Sequence, residues 1–150
     1  MKIFDASKML EQNYQINKPD RNIVFHWTGE GTIASIIKYF TSRLQGKGTV
    51  GYNFMIDFNG DVVKLCPLNA WFHNSGKGTN FDSSTISIAF LSSGAYPTKQ
   101  QIKSCITLLQ SDIAPTFNIL EYFCHSELCA HKIDFPADYW RKLKHDLDLS

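Results

Sequence analysis

Long apolar runs are missing from this sequence. None approaches the ~20 residues that span a bilayer, which excludes an integral membrane protein. Met1 to Leu10 carries Lys2, Asp5 and Lys8 and has no apolar leader segment, so the chain is expected to be cytoplasmic as synthesised. An excess of one charge is missing too. Fifteen Lys and Arg stand against 14 Asp and Glu, a formal net charge of +1, which gives no electrostatic footprint for nucleic acid. Cysteine is scarce: Cys66, Cys105, Cys124 and Cys129 are too few to staple a chain of 150 residues that can build its own core. Reduced thiols are expected, with a single disulfide left open. There is no repeat, linker or low-complexity stretch. With 43% apolar and 19% charged residues the chain is neither disordered nor fibrous, and one domain over residues 1–150 is expected.

What is present alternates between two periods. Asn22 to Trp27 is a β-branched and aromatic run of the kind buried on both faces of a sheet. After Thr28-Gly-Glu-Gly31, the spacing of Ile33, Ile36, Ile37, Phe40 and Leu44 predicts an amphipathic helix. Tyr52–Phe58 and Asp61–Leu65 read as strands joined by a two-residue Asn59-Gly60 hairpin turn. Asn69 to Ser84 reads as a long functional loop, and Ile86–Leu91 as a third buried strand. Thr98 is the expected N-cap of a helix striped by Ile102, Cys105, Ile106 and Leu109. A strand over Ile119–Cys124, a loop over His125–Pro136 and a helix over Ala137–Leu147 complete the chain, with a short helix also expected within Ser7–Tyr14. The fold class is α/β, a central mixed sheet flanked by helices.

Three local motifs fail on context. Gly46-Lys-Gly-Thr-Val-Gly51 has the letters of a dinucleotide fingerprint but follows a helix and enters a strand, the reverse of what the fingerprint needs. Cys124, His125, Cys129 and His131 lack the second ligand pair of a structural zinc finger. Cys124 and His125 are strand neighbours pointing to opposite faces, so they cannot form a thiol–imidazole pair.

The dispersed constellation is stronger. His26 and His125 each end a predicted strand directly before a loop, and Lys132 and Asp134 follow on the second loop. If the two strands run parallel in one sheet, both imidazoles emerge at the carboxyl edge, where α/β sheets place ligands. Two His and one carboxylate leave the fourth position of a catalytic zinc open to water. Lys132 adds a cation for a developing oxyanion. Taken singly, a His at a strand end is more often a satisfied polar residue, and Lys132 with Asp134 is an ordinary solvated loop pair.

The ordered set of segments resembles the type 2 N-acetylmuramoyl-L-alanine amidases, the zinc amidase and peptidoglycan-recognition-protein group. Ile23-Val-Phe-His-Trp-Thr28 is similar to the strand that delivers the first zinc histidine. Val50-Gly-Tyr-Asn-Phe-Met-Ile56 with Asn59-Gly-Asp-Val62 is similar to the strand and hairpin carrying an active-site Tyr. Trp71-Phe-His-Asn-Ser-Gly76 resembles the substrate loop, and Ser84 to Phe90 the strand after it. His125-Ser-Glu-Leu128 with Lys132-Ile-Asp134 resembles the closing motif. The likeness runs from about Ile23 to Trp140. It departs at Asn53, where relatives often carry His, and at Cys129 and His131, which compete with Asp134 as metal ligands.

The resemblance implies a Zn2+ ion held by His26, His125 and Asp134, with Tyr52 and Lys132 as catalytic residues and Thr28, Asn53, His73 and Asn74 facing substrate. The implied reaction is hydrolysis of the amide joining N-acetylmuramic acid to L-alanine in peptidoglycan or a muropeptide. A cytoplasmic recycling enzyme, a phage lysin and a secreted effector, the last with an immunity partner unknown from sequence, are equally compatible. Two other readings stand beside it: a non-catalytic peptidoglycan-binding module on the same fold, and a thiol peptidase using Cys66 or Cys129.

Overall fold

A computed structural model describes residues 1–7, 18–29, 31–44, 51–66, 68, 77–92, 94–130, 132 and 135–149, with the backbone alone at 40, 43, 44 and 79. The short helix expected within Ser7–Tyr14 falls almost wholly outside these residues, as does the first half, residues 69–76, of the loop expected over Asn69–Ser84.

Six strands form one mixed sheet: β1 (Ile3–Asp5), β2 (Asp20–Trp27), β3 (Phe54–Ile56), β4 (Val62–Lys64), β5 (Thr85–Phe90) and β6 (Asn118–Cys124). Their spatial order is β1-β4-β3-β5-β2-β6. Only β3 and β4 pair antiparallel; the other neighbours are parallel. The helices are α1 (Ile33–Leu44), α2 (Thr79–Asp82), α3 (Lys99–Leu108), α4 (His125–Leu128) and α5 (Ala137–Asp146), and α3 runs on into a π-helical turn, Leu109–Ile113.

The period of two along the strands sorts the core into two layers. Ile23, Phe25, Phe54, Ile56, Ile86, Ile88 and Phe90 face a cluster closed by Cys105 and Leu108 of α3 and Trp140 and Leu143 of α5. Met55, Val63 and Ala89 face the other way, toward a smaller cluster packed by Ile33, Ile36 and Ile37 of α1 and by Tyr52. β2 is the strand that matters for the site. Lying between β5 and β6, it is buried from Ile23 to His26, as its continuous apolar run requires.

The hairpin turn is one residue longer than the Asn59-Gly60 signal predicts. Asp57 N–H donates to the Asp61 carbonyl, leaving three residues in the loop, and Gly60 takes φ +84° at its end. The tip is clamped to the start of α3: Ser104 donates to the Gly60 carbonyl at 2.6 Å and Thr98 to the Phe58 carbonyl at 3.0 Å. Thr98 caps α3 as expected, in a capping box with Gln101. Three elements go beyond the expectation from sequence. β1 adds a parallel edge strand beside β4, and α2 and α4 are four-residue helices where only loops are expected.

Candidate functional site

The site begins with strand register. β2 and β6 are parallel neighbours with Phe25 beside Cys124, and the residue after each is a histidine, His26 within β2 and His125 just past the end of β6. Phe25 and Cys124 both face the larger core, and alternation turns His26 to the opposite face. There Ala89, its register partner on β5, offers only a methyl group. α4 begins at His125, with Cys124 as its N-cap and Glu127 accepting from the Cys124 N–H at 3.1 Å.

The two imidazoles consequently meet. Nδ1 of His26 lies 3.1 Å from Nδ1 of His125, the ring centroids are 4.6 Å apart, and the rings stand edge to face at 63°. Both are buried, at 2% and 9% exposure. Without an ion, such a contact is a hydrogen bond between rings of complementary tautomer. It also suits a shared metal: two nitrogens each about 2.0–2.1 Å from a tetrahedral zinc stand about 3.3–3.4 Å apart, and neutral imidazole is a preferred zinc donor. Two donors are not a complete set. Asp134 and His131 lie outside the described residues, and among the described residues no group of three potential ligands is found.

Tyr52 precedes β3 on the same face. Its ring centroid is 5.2 Å from that of His26, and the side chain is half-buried. Thr28 is half-buried just past the end of β2, its hydroxyl on the Gly29 carbonyl and its N–H on the Phe90 carbonyl. Lys132 is exposed, and its N–H donates to the carbonyl of Cys129. His73 and Asn74 lie outside the described residues.

Asn53, expected to face substrate, is completely buried. Its backbone N–H donates to the Ser87 carbonyl, its side-chain Oδ1 accepts from the Ser87 N–H at 2.9 Å, and its Nδ2 donates to Cys66 Sγ at 3.0 Å. Asn53 stitches the entry of β3 to β5.

The three buried thiols are poor nucleophiles. Cys66 is fully buried, and burial pushes its thiol well above the ordinary range, away from the reactive thiolate. Cys105 and Cys124 are buried and their thiols are raised for the same reason, while Cys129 is half-buried.

Residues 16–143 match the family of N-acetylmuramoyl-L-alanine amidases, over most of the chain. No curated protein matches the chain significantly in sequence. Among solved structures, the N-acetylmuramoyl-L-alanine amidase LysC from Clostridium intestinale is similar at 21% identity and TM-score 0.76, covering 100% of this chain and 99% of that one. The Ph2119 endolysin of a Thermus scotoductus bacteriophage is similar at 18% identity and TM-score 0.70, with 97% and 98% covered. Peptidoglycan recognition protein-LE, solved with tracheal cytotoxin (a monomeric diaminopimelic acid-type peptidoglycan), is similar at 14% identity and TM-score 0.71, with 95% and 92% covered. At these identities the structures speak for a common fold, and the sequence match carries the membership: the chain belongs to the type 2 N-acetylmuramoyl-L-alanine amidase family.

Proposed function

We propose that the protein is a zinc-dependent amidase that hydrolyses the bond between N-acetylmuramic acid and L-alanine in peptidoglycan or its fragments. The observation that carries this reading is the 3.1 Å approach of the His26 and His125 Nδ1 atoms at the carboxyl edge of the sheet. Family membership supplies the substrate class, and the peptidoglycan fragment bound by recognition protein-LE supports a ligand of the same chemistry.

In this reading His26 and His125 hold zinc through Nδ1, with Asp134 as the third protein ligand. Zinc supplies, when bound, a Lewis acid that polarises a carbonyl and makes water more acidic. The chain does the rest. His26 and His125 bring one ring nitrogen each to a common point, where each has a lone pair to donate. Tyr52, beside His26, orients the attacking water through its hydroxyl. Lys132, exposed on the loop after α4, brings a cation to the oxyanion that develops on the scissile carbonyl, a contribution of about 3–4 kcal/mol for a well-placed donor. Thr28, with His73 and Asn74, lines the approach to the bond.

The test is a muropeptide incubated with the purified chain and followed by mass spectrometry. Separation into an amino sugar fragment and a peptide with a free L-alanine amine, abolished by a chelator and restored by zinc, is the expected result. Tight binding of a muropeptide whose mass never changes would instead assign the non-catalytic binding module.

A further inference from the structure

Trp27 follows His26 on β2, and alternation turns it to the other face of the sheet, against the larger core. From there aromatic rings continue along the outside of that core. The Tyr139 ring of α5 lies 6.1 Å from the Trp27 ring at 81°, and the Tyr96 ring lies 5.6 Å from Tyr139 at 83°. All three side chains are half-buried. The series ends at a cavity of about 640 Å³ lined by Tyr96, Pro97, Lys99, Ile102, Lys142 and Asp146. This cavity lies at the carboxyl edge of the sheet, because Gln101 in the first turn of α3 donates to the carbonyls of Ile56 and Leu91, where β3 and β5 end. His26 and His125 stand at that same edge.

Packing against the core accounts for the rings, but not for a cavity beside them. Tyr96 is also fixed before any ligand arrives. Its hydroxyl donates to Asp146 Oδ2 at 2.7 Å, and Lys142 Nζ donates to the same oxygen at 2.7 Å while standing 4.0 Å over the ring. A wall held in advance lowers the ordering cost of binding. The volume falls within the range of small-ligand sites, which combine apolar walls with a few polar groups. Here the walls are Tyr96, Pro97 and Ile102, and the rim carries the ammonium groups of Lys99 and Lys142 with the carboxylate of Asp146. Such a mixture suits a pyranose. Its C–H faces lie against aromatic and aliphatic carbon, while its hydroxyl and acetamido groups reach the charged rim.

We infer that Trp27, Tyr139 and Tyr96 form a track for a chain of N-acetylated amino sugars, ending in the cavity at Tyr96. The choice of ligand rests on the amidase reading above. In peptidoglycan the muramic acid whose amide is cleaved belongs to such a chain, and its neighbouring sugars must leave the site over the edge of the sheet. The track gives them an apolar path that begins one residue from His26.

The test is a titration of the wild-type chain with a chito-oligosaccharide, a peptide-free chain of N-acetylglucosamine, followed by the backbone amide signals in NMR. A chelator is present throughout, so that a metal centre takes no part. Saturable shifts at Tyr96, Lys99 and Tyr139 are expected. Tyr139→Ala should bind the oligosaccharide about tenfold more weakly, or worse, since an aromatic contact is lost. Tyr139→Phe, which keeps the ring, should bind as wild type does. No binding, or shifts confined to Tyr52, His26 and His125, overturns the inference and leaves the amidase reading intact. A folded Tyr139→Ala protein that binds as tightly as wild type overturns it as well. Should Tyr139→Ala fail to fold, the wild-type shift map decides alone. A chain that shows these shifts yet never cleaves a muropeptide removes the amidase reading and leaves the track in place.

Discussion

His26 and His125 are 99 positions apart in the chain, yet their Nδ1 atoms are 3.1 Å apart in the fold. Two ordinary facts bring this about: parallel pairing of β2 with β6, and a register that sets Phe25 beside Cys124. Neither histidine needs its own recognition device. The sheet delivers both, and the small Ala89 at the adjoining register position leaves room for an imidazole.

Asn53 is bonded into the framework, to Ser87 and Cys66. Asn53→Ala removes the acceptor for the buried Ser87 N–H and the donor to Cys66. A buried group left without its partner costs about 1–3 kcal/mol. Denaturant unfolding should show that loss, while KM for a muropeptide stays at the wild-type value. A raised KM with unchanged stability would return Asn53 to the substrate groove.

Cys66 should be dispensable for chemistry. Its burial and raised pKa make it a poor nucleophile. Cys66→Ala is expected to keep wild-type kcat in the muropeptide assay, with a modest loss of stability from the unpaired Asn53 amide. Loss of all turnover in a folded Cys66→Ala protein would favour a thiol peptidase.

Asp146 anchors the end of α5 at acid pH. Lys142 Nζ donates to its Oδ2 at 2.7 Å, the Tyr96 hydroxyl donates to the same oxygen at 2.7 Å, and His145 Nδ1 lies 3.3 Å from Oδ1. These bonds, that from Lys142 foremost, hold its carboxyl down to about 2. The unfolded chain titrates near 4, so the folded state favours the carboxylate. The resulting stability is complete above about pH 4 and is lost as pH falls toward 2. Tyr96→Phe removes one of the donors and should move the acid-unfolding midpoint, followed by circular dichroism, to higher pH. Superimposable acid curves would contradict the assignment.

Much of this could be read in the sequence because the relevant signals are local and strong. The Asn22–Trp27 run, the α1 stripe from Ile33 to Leu44 and the Thr98 cap each announce an element within a few residues, and the observed elements follow them closely. The meeting of His26 and His125 was legible because each ends a strand, and a sheet can bring strand ends together. What escaped depends on contacts distant in sequence. β1 is three exposed residues with no apolar period, defined only by its pairing with β4. Gln101 looks like a surface residue of α3, yet it is buried to reach the carbonyls of Ile56 and Leu91. The cap of α4 is Cys124 with Glu127, a pairing outside the usual Ser/Thr signature. The burial of Asn53 follows from its bonds to Ser87 and Cys66, which no spacing rule reveals.

The central claim is that two imidazoles and a carboxylate hold one zinc ion that turnover requires. The most direct measurement is zinc content per chain by elemental analysis, made on the same preparations whose muropeptide turnover is recorded, for wild type, His26→Ala, His125→Ala and Asp134→Ala. The account predicts one zinc per wild-type chain and the joint loss of metal and turnover in each variant. Full turnover by a folded, zinc-free His26→Ala protein would contradict it.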